Sequence, residues 1–285
     1  MTTTRQVELS AGTVRYRESG EGPPIVFMHG LLVDGSLWRK VTPRLDDRFR
    51  CIVPDLPLGS HTIPLRREAD LSPRGVARLV SEFLERLDLT NVTLVANDTG
   101  GAIAQMLVTE RPERVARLVL TPCDAFDNFL PPMFRGMQLM ARVPGGVAAL
   151  VAPLRIPALR RLPPAFGWLA KRPVPREVSD GWLRPTLTDR AIRRDTARFL
   201  RAIDKRDTLA AAAQLGEFDR PVLIAWAPED RFFPFDHARR LAEILPDSRI
   251  EEIADSYSFV SEDQPERVAE LVAEFAGERA GAKVS

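Results

Sequence analysis

The sequence predicts an α/β chain: a mostly parallel central sheet with helices on both faces, interrupted by a basic, proline-punctuated insert. Three observations carry this. Short apolar runs without alternation, Ile25-Val26-Phe27-Met28 and Cys51-Ile52-Val53, read as strands buried on both faces. Stretches of helical period separate such runs along the chain. Residues 125–215 hold 16 Lys+Arg against 7 Asp+Glu and 10 of the 24 prolines, while the remainder holds 24 against 32. The balanced total of 40 Lys+Arg and 39 Asp+Glu in 285 residues therefore averages a basic insert and an acidic frame, 1–124 and 216–285.

Each element follows from local pattern. Val14 to Arg17 alternates like a half-buried strand. The run 25–28 stops at His29-Gly30, and 51–53 stops at Pro54-Asp55. Ser72-Pro73 supplies an N-cap and a first-turn proline, and Val76, Leu79, Val80, Phe83, Leu84 and Leu87 then keep the helical period. A strand over 92–95 breaks at Asn97-Asp98-Thr99-Gly100-Gly101, ahead of a helix from about Ala102 to Thr109. Leu118 to Leu120 forms the next strand and leads into the insert. Beyond it come a strand over 222–226, a helix over 234–245, a strand over 250–253 and a helix over 264–276. Gly277 to Ser285 reads as a frayed tail.

Composition narrows the function. A net charge of +1 gives no global basic field for a nucleic-acid backbone. Two cysteines make no disulfide scaffold, and with 3 His they show no ligand spacing of a four-ligand Cys/His zinc cluster. The start MTTTRQVELS lacks a signal-peptide apolar run, and no window reaches the ~18 apolar residues of a membrane span. The expectation is a cytoplasmic protein acting on a small molecule, with a homodimer left open.

In open parallel sheets ligands bind past the carboxyl ends of the strands. The residues there are His29-Gly30, Asp55 to His61, Asp98, Cys123-Asp124, Asp230 and Tyr257-Ser258. Among them, Ala96 and Gly100 stand two before and two after Asp98, as a tight strand-to-helix turn requires if its apex side chain is to be held out. The start of a helix also favours a carboxylate, and capping alone would explain one.

From about Val14 to Phe275 the chain resembles an α/β-hydrolase. His29-Gly30-Leu31-Leu32 is similar to the His-Gly turn of the oxyanion hole, Asp98 stands at the nucleophile elbow, and the segment from Ile224 to Pro234 resembles the one ending in the catalytic acid, at Asp230. An elbow aspartate resembles the haloalkane dehalogenase and epoxide hydrolase branch. The resemblance implies Asp98 as nucleophile, Leu31 and Thr99 N–H groups as oxyanion donors beside His29, and a helical cap over 125–215. Asp124 matches an alternative acid position, and no metal or cofactor is implied.

The departures are informative. The family's catalytic histidine is replaced by Ser258, with Tyr257 where glycine is usual. Thr99 and Leu31 stand where a halide clamp has tryptophan and asparagine. A substitute base is therefore needed. His61 lies in a loop bordering the pocket, and two placements stay open for it, facing Asp98 or pointing into water; a solvated helix face accounts for His237 and a structural role for His29. If Asp98, Asp124 and Asp230 converge, one is pushed towards its protonated form and becomes an acid or base. The sulfur-rich run from Phe126 to Met140 suits a cavity for a mostly apolar substrate, and the resemblance implies that this substrate carries an ester, epoxide or carbon–halogen bond. Loss of the histidine leaves two alternatives: a lyase, isomerase or cyclase using Asp98 for proton transfer, or a degenerate ligand-binding homologue.

Overall fold

A computed structural model describes residues 2–278. The eight strands are β1 (Thr3–Leu9), β2 (Gly12–Ser19), β3 (Pro24–Met28), β4 (Arg50–Pro54), β5 (Val92–Asp98), β6 (Val115–Cys123), β7 (Val222–Trp226) and β8 (Ser248–Glu252). They form one sheet in the order β1-β2-β4-β3-β5-β6-β7-β8. The pairs β1/β2 and β2/β4 are antiparallel, and all the others are parallel. Ile25 to Met28 are fully buried, which is why that strand shows no alternation.

Helices α1 (Pro73–Arg86), α2 (Thr99–Glu110), α8 (Phe235–Ile244) and α10 (Pro265–Gly277) flank the sheet, with the single turn α9 (Val260–Asp263) before the last. Ser72 caps α1 as its sequence predicts, its hydroxyl accepting from the Gly75 N–H at 3.0 Å. Between β6 and β7 run α3 (Arg135–Arg142), α4 (Gly146–Val151), α5 (Arg176–Thr188), α6 (Arg190–Ala202) and α7 (Lys205–Gln214), joined by short irregular turns. No helix of the described residues is long and apolar enough to cross a membrane.

Three expectations change. Strand β1 has no apolar alternation because it is an edge strand, exposed over most of its length. Helix α2 starts at Thr99, three residues earlier than its apolar pattern suggests, so strand passes to helix at Asp98 without a linker. Gly277 closes α10, and the rest of the expected tail beyond Glu278 lies outside the described residues.

The segment 125–215 is laced to the sheet's loops. The Thr186 hydroxyl donates to the Gly59 carbonyl, and Asp195 accepts the Leu65 N–H at 2.8 Å. The Phe259 N–H donates to the Leu169 carbonyl at 2.6 Å, and Trp182 Nε1 donates to Ser36 Oγ at 2.7 Å. These contacts set the insertion over the carboxyl ends of the strands.

Candidate active site

Asp98 sits at the junction of β5 and α2 with φ 55° and ψ −134°, a conformation costing an L-residue about 1–3 kcal/mol. Close packing imposes it. A Cβ at Gly30 would lie 2.3 Å from Asp98 Oδ1, and one at Gly100 would lie 2.6 Å from the His29 carbonyl oxygen. The turn after β3 and the elbow thus interlock without side chains between them. Gly30→Ala is expected to cost about 1–3 kcal/mol by overpacking, read by urea denaturation, and to displace the Asp98 carboxylate.

The carboxylate is aimed by two backbone donors. Asp98 Oδ1 accepts the Thr99 N–H at 2.6 Å and the Leu31 N–H at 3.2 Å. Asp98 Oδ2 has no such partner among the described residues, and Asp98 lines the cavity described below. Burial raises its pKa, and the two N–H groups partly offset that by favouring the ionised form.

Thr99 links this group to a second carboxyl. Its hydroxyl donates to Asp124 Oδ2 at 3.2 Å, whereas Asp124 Oδ1 is buried without a partner. Burial first, and the charge of Asp98 second, hold Asp124 well above the usual carboxylate range. Asp230 lies deeper. Its Oδ1 accepts the N–H groups of Phe232 (2.7 Å) and Phe233 (2.8 Å), its Oδ2 is buried and unpartnered, and burial pushes its pKa up to about 7.

Ser258 is fully buried with its hydroxyl unpartnered. That hydroxyl is near enough to favour the ionised form of Asp230, yet it does not meet hydrogen-bond geometry. Asn97 fixes the backbone here, donating from Nδ2 to the Ser258 carbonyl (2.8 Å), the Pro122 carbonyl (3.1 Å) and Thr121 Oγ1 (2.9 Å). Two orphaned buried oxygens, Asp230 Oδ2 and Ser258 Oγ, therefore lie behind the elbow.

The histidines are engaged elsewhere. His29 Nε2 accepts the Leu56 N–H and its Nδ1 bonds the Gly30 carbonyl, both at 2.8 Å, which assigns the proton to Nδ1. Burial lowers its pKa, so it is a neutral brace for the turn. His61 is buried rather than in water, with Nε2 3.6 Å from Asp195 Oδ2 on α6, and it does not line the Asp98 cavity. His237 is also buried, edge-on to Phe126, and not on a solvated face. Tyr257 turns away from the site: its hydroxyl accepts from Arg231 at 3.3 Å and its ring lies under Lys171. Its flanking charges, rather than its place after β8, decide where it points.

Above Asp98 lies a cavity of about 350 Å³. Its polar side chains are those of Asp98, Thr99 and Asp124 alone, and Leu130, Met133, Phe134, Met137 and Met140 supply much of the apolar wall. Phe166, Leu169 and Phe233 also line it; the irregular, proline-rich turns carrying the first two show no period that would single them out. Among the described residues no group of three or more His, Cys, Asp or Glu is arranged to hold a metal ion.

Comparisons with known proteins agree with this architecture. A family model described as alpha/beta hydrolase fold matches residues 23–265. Haloalkane dehalogenase 2 of Mycobacterium tuberculosis is 30% identical over 280 residues, covering 95% of this chain and 94% of that protein. Two solved structures share the fold. Haloalkane dehalogenase DbeA from Bradyrhizobium elkani superposes with a TM-score of 0.79 at 22% identity, covering 97% of this chain and 98% of that one. The epoxide hydrolase CorEH superposes at 0.80 and 21%, covering 96% and 98%.

Proposed function

The chain belongs to the α/β-hydrolase-fold family, and from that premise we propose a hydrolase of small to medium apolar molecules with Asp98 as nucleophile and Asp124 as both acid and base. The observation that carries this reading is the division of labour at Asp98. One oxygen is pinned by two N–H groups, and the other is left unpaired beside an apolar cavity. A carboxylate held this way can attack carbon and form an ester. The segment 125–215 acts as the cap that supplies the apolar wall.

Among the bonds such a carboxylate can open, the lining favours an epoxide. A departing halide needs donors, yet the cavity's polar side chains are two carboxyls and a hydroxyl that already donates to one of them. A departing ring oxygen instead needs a proton, and Asp124 is held towards its protonated form. Asp98 Oδ2 attacks a ring carbon, the carbon–oxygen bond breaks, and the oxygen takes the Asp124 proton to give a hydroxyalkyl ester. Asp124, now ionised, takes a proton from water as the water oxygen adds to the ester carbonyl. The Leu31 and Thr99 N–H groups hold the resulting oxyanion. Collapse releases the diol, its oxygen protonated by Asp124; Asp98, left as the acid with one oxygen from water, passes its remaining proton to Asp124, and both carboxyls return to their starting states.

Intact mass spectrometry after incubation with an apolar terminal epoxide tests the first half. The expected result is one adduct that maps to the Asp98 peptide and is absent from Asp98→Asn. Turnover in ¹⁸O-water tests the second half and should leave ¹⁸O in the Asp98 carboxylate. Turnover with neither adduct nor label would favour proton-transfer chemistry at Asp98 instead. No turnover and no adduct with epoxide, ester or haloalkane probes would overturn the nucleophile assignment.

A further inference from the structure

The charge of the segment 125–215 is not spread evenly over its surface. A groove of about 880 Å³ between α3, α4 and α6 is lined by Arg67, Arg142, Arg190, Arg193, Arg194 and Arg201, and no carboxylate lines it. Arg194 pairs with buried Asp195 and the Leu65 carbonyl, and Arg193 donates to the Thr186 carbonyl. Arg67, Arg142, Arg190 and Arg201 are exposed and have no hydrogen-bond or ion-pair partner among the described residues. In a chain of near-equal positive and negative charge, five guanidinium groups without an acid partner among the described residues make a local cationic field.

Exposed apolar side chains occupy the same segment. Among the described residues the large hydrophobic side chains left exposed are Met133, Leu139, Val143, Ile156, Leu162 and Leu209, and all six fall within 125–215. Arg135, Leu139 and Arg142 recur at the spacing of one helical face on α3, and Leu139 is 67% exposed between the two cations. Val143 lines the basic groove itself. A soluble substrate or a nucleic acid would use the arginines and leave these side chains in water. An anionic bilayer uses both, since cations meet the headgroups while apolar side chains enter the acyl boundary.

We propose that this face of the insertion, α3 with the groove beside α6, docks on the surface of an anionic lipid bilayer. The surface adjoins the cavity, because α3 presents Met137 and Met140 to it from its other side and exposed Met133 lines its rim. Docking thus sets the cavity entrance against the phase in which apolar molecules dissolve. The proposal concerns binding alone and stands apart from the chemistry at Asp98.

Co-sedimentation of the full chain with phosphatidylcholine vesicles, with and without about 30 per cent phosphatidylglycerol, tests it. Binding is expected only to the anionic vesicles and is expected to fall steeply with added salt. Arg142→Ala and Arg201→Ala should each lower the partition coefficient about fivefold, the equivalent of about 1 kcal/mol per cation. Leu139→Ser should lower it with no change in net charge. All three sites are exposed, and circular dichroism of each variant checks that it folds. Equal binding to both vesicle types, or binding to neither, overturns the proposal. So does insensitivity to Leu139→Ser combined with displacement by inorganic pyrophosphate, which would assign the groove to a soluble phosphate ligand. Tighter binding of a single-stranded oligonucleotide than of anionic vesicles would assign it to nucleic acid and also overturns it.

Discussion

Ser258→His is expected to raise the rate of ester hydrolysis at Asp98 by about 10²–10⁴-fold, the usual worth of a positioned general base. The side chain would enter the region where Asp230 Oδ2 and Ser258 Oγ are both buried and unpartnered. An imidazole N–H donated to Asp230 Oδ2 satisfies that oxygen and leaves the other ring nitrogen to activate water. The Asn97 bond to the residue's carbonyl is a backbone contact and survives the change. Single-turnover decay of the Asp98 adduct, followed by intact mass, reads the effect directly. The comparison with Asp124 makes it decisive. In the parent protein Asp124→Asn should stop hydrolysis, whereas in Ser258→His the same change should slow ring opening but spare the second step. If Ser258→His leaves the adduct as long-lived as before, Asp230 and Ser258 do not face Asp98 productively.

Asp230→Asn is expected to stabilise the protein at pH 8 by about 2–4 kcal/mol. Burial raises the Asp230 carboxyl from 3.8 to about 7, so its ionisation in the folded state costs on the order of 4 kcal/mol. The folded chain holds this proton more tightly than the unfolded chain does. Stability from this group is therefore full below about 3.8 and is lost as pH rises through about 7. Asparagine keeps the side-chain oxygen that accepts from the Phe232 and Phe233 N–H groups and removes the charge. Urea titrations of parent and variant should differ most at pH 8 and converge towards pH 4. A constant difference across that range would mean that the carboxyl does not titrate between them.

How much of this was legible in the sequence depends on the physics behind each element. The buried strand β3 and the elbow at Asp98 announce themselves, because burial on both faces forbids polar residues and a tight turn demands small ones. The interlock of Gly30 with Asp98 was not legible, since it is a contact across 68 positions that leaves no local pattern. Strand β1 was missed because one edge of a sheet in water imposes no hydrophobic period. The histidines show the same limit: His61 and His237 look like loop and surface residues until α6, packed on the first, and the turn at Phe126, packed on the second, are placed. That Ser258 stands where the resemblance implies a histidine is a reading of the sequence, whereas the two unpartnered buried oxygens, Asp230 Oδ2 and Ser258 Oγ, needed coordinates.

The two N–H groups on Asp98 Oδ1 have a consequence for timing. In the proposed reaction they hold a carboxylate oxygen at the start, the carbonyl oxygen of the ester midway, and the oxyanion during its hydrolysis. The same atom occupies the same seat throughout, so no donor has to turn or exchange partners between steps. Charge grows and fades on an oxygen that scarcely travels, and the adjustment that water would make at each stage is already complete in the folded chain. The contorted backbone at residue 98 is where that readiness is stored, so a loosened elbow should slow chemistry before it lowers the melting temperature.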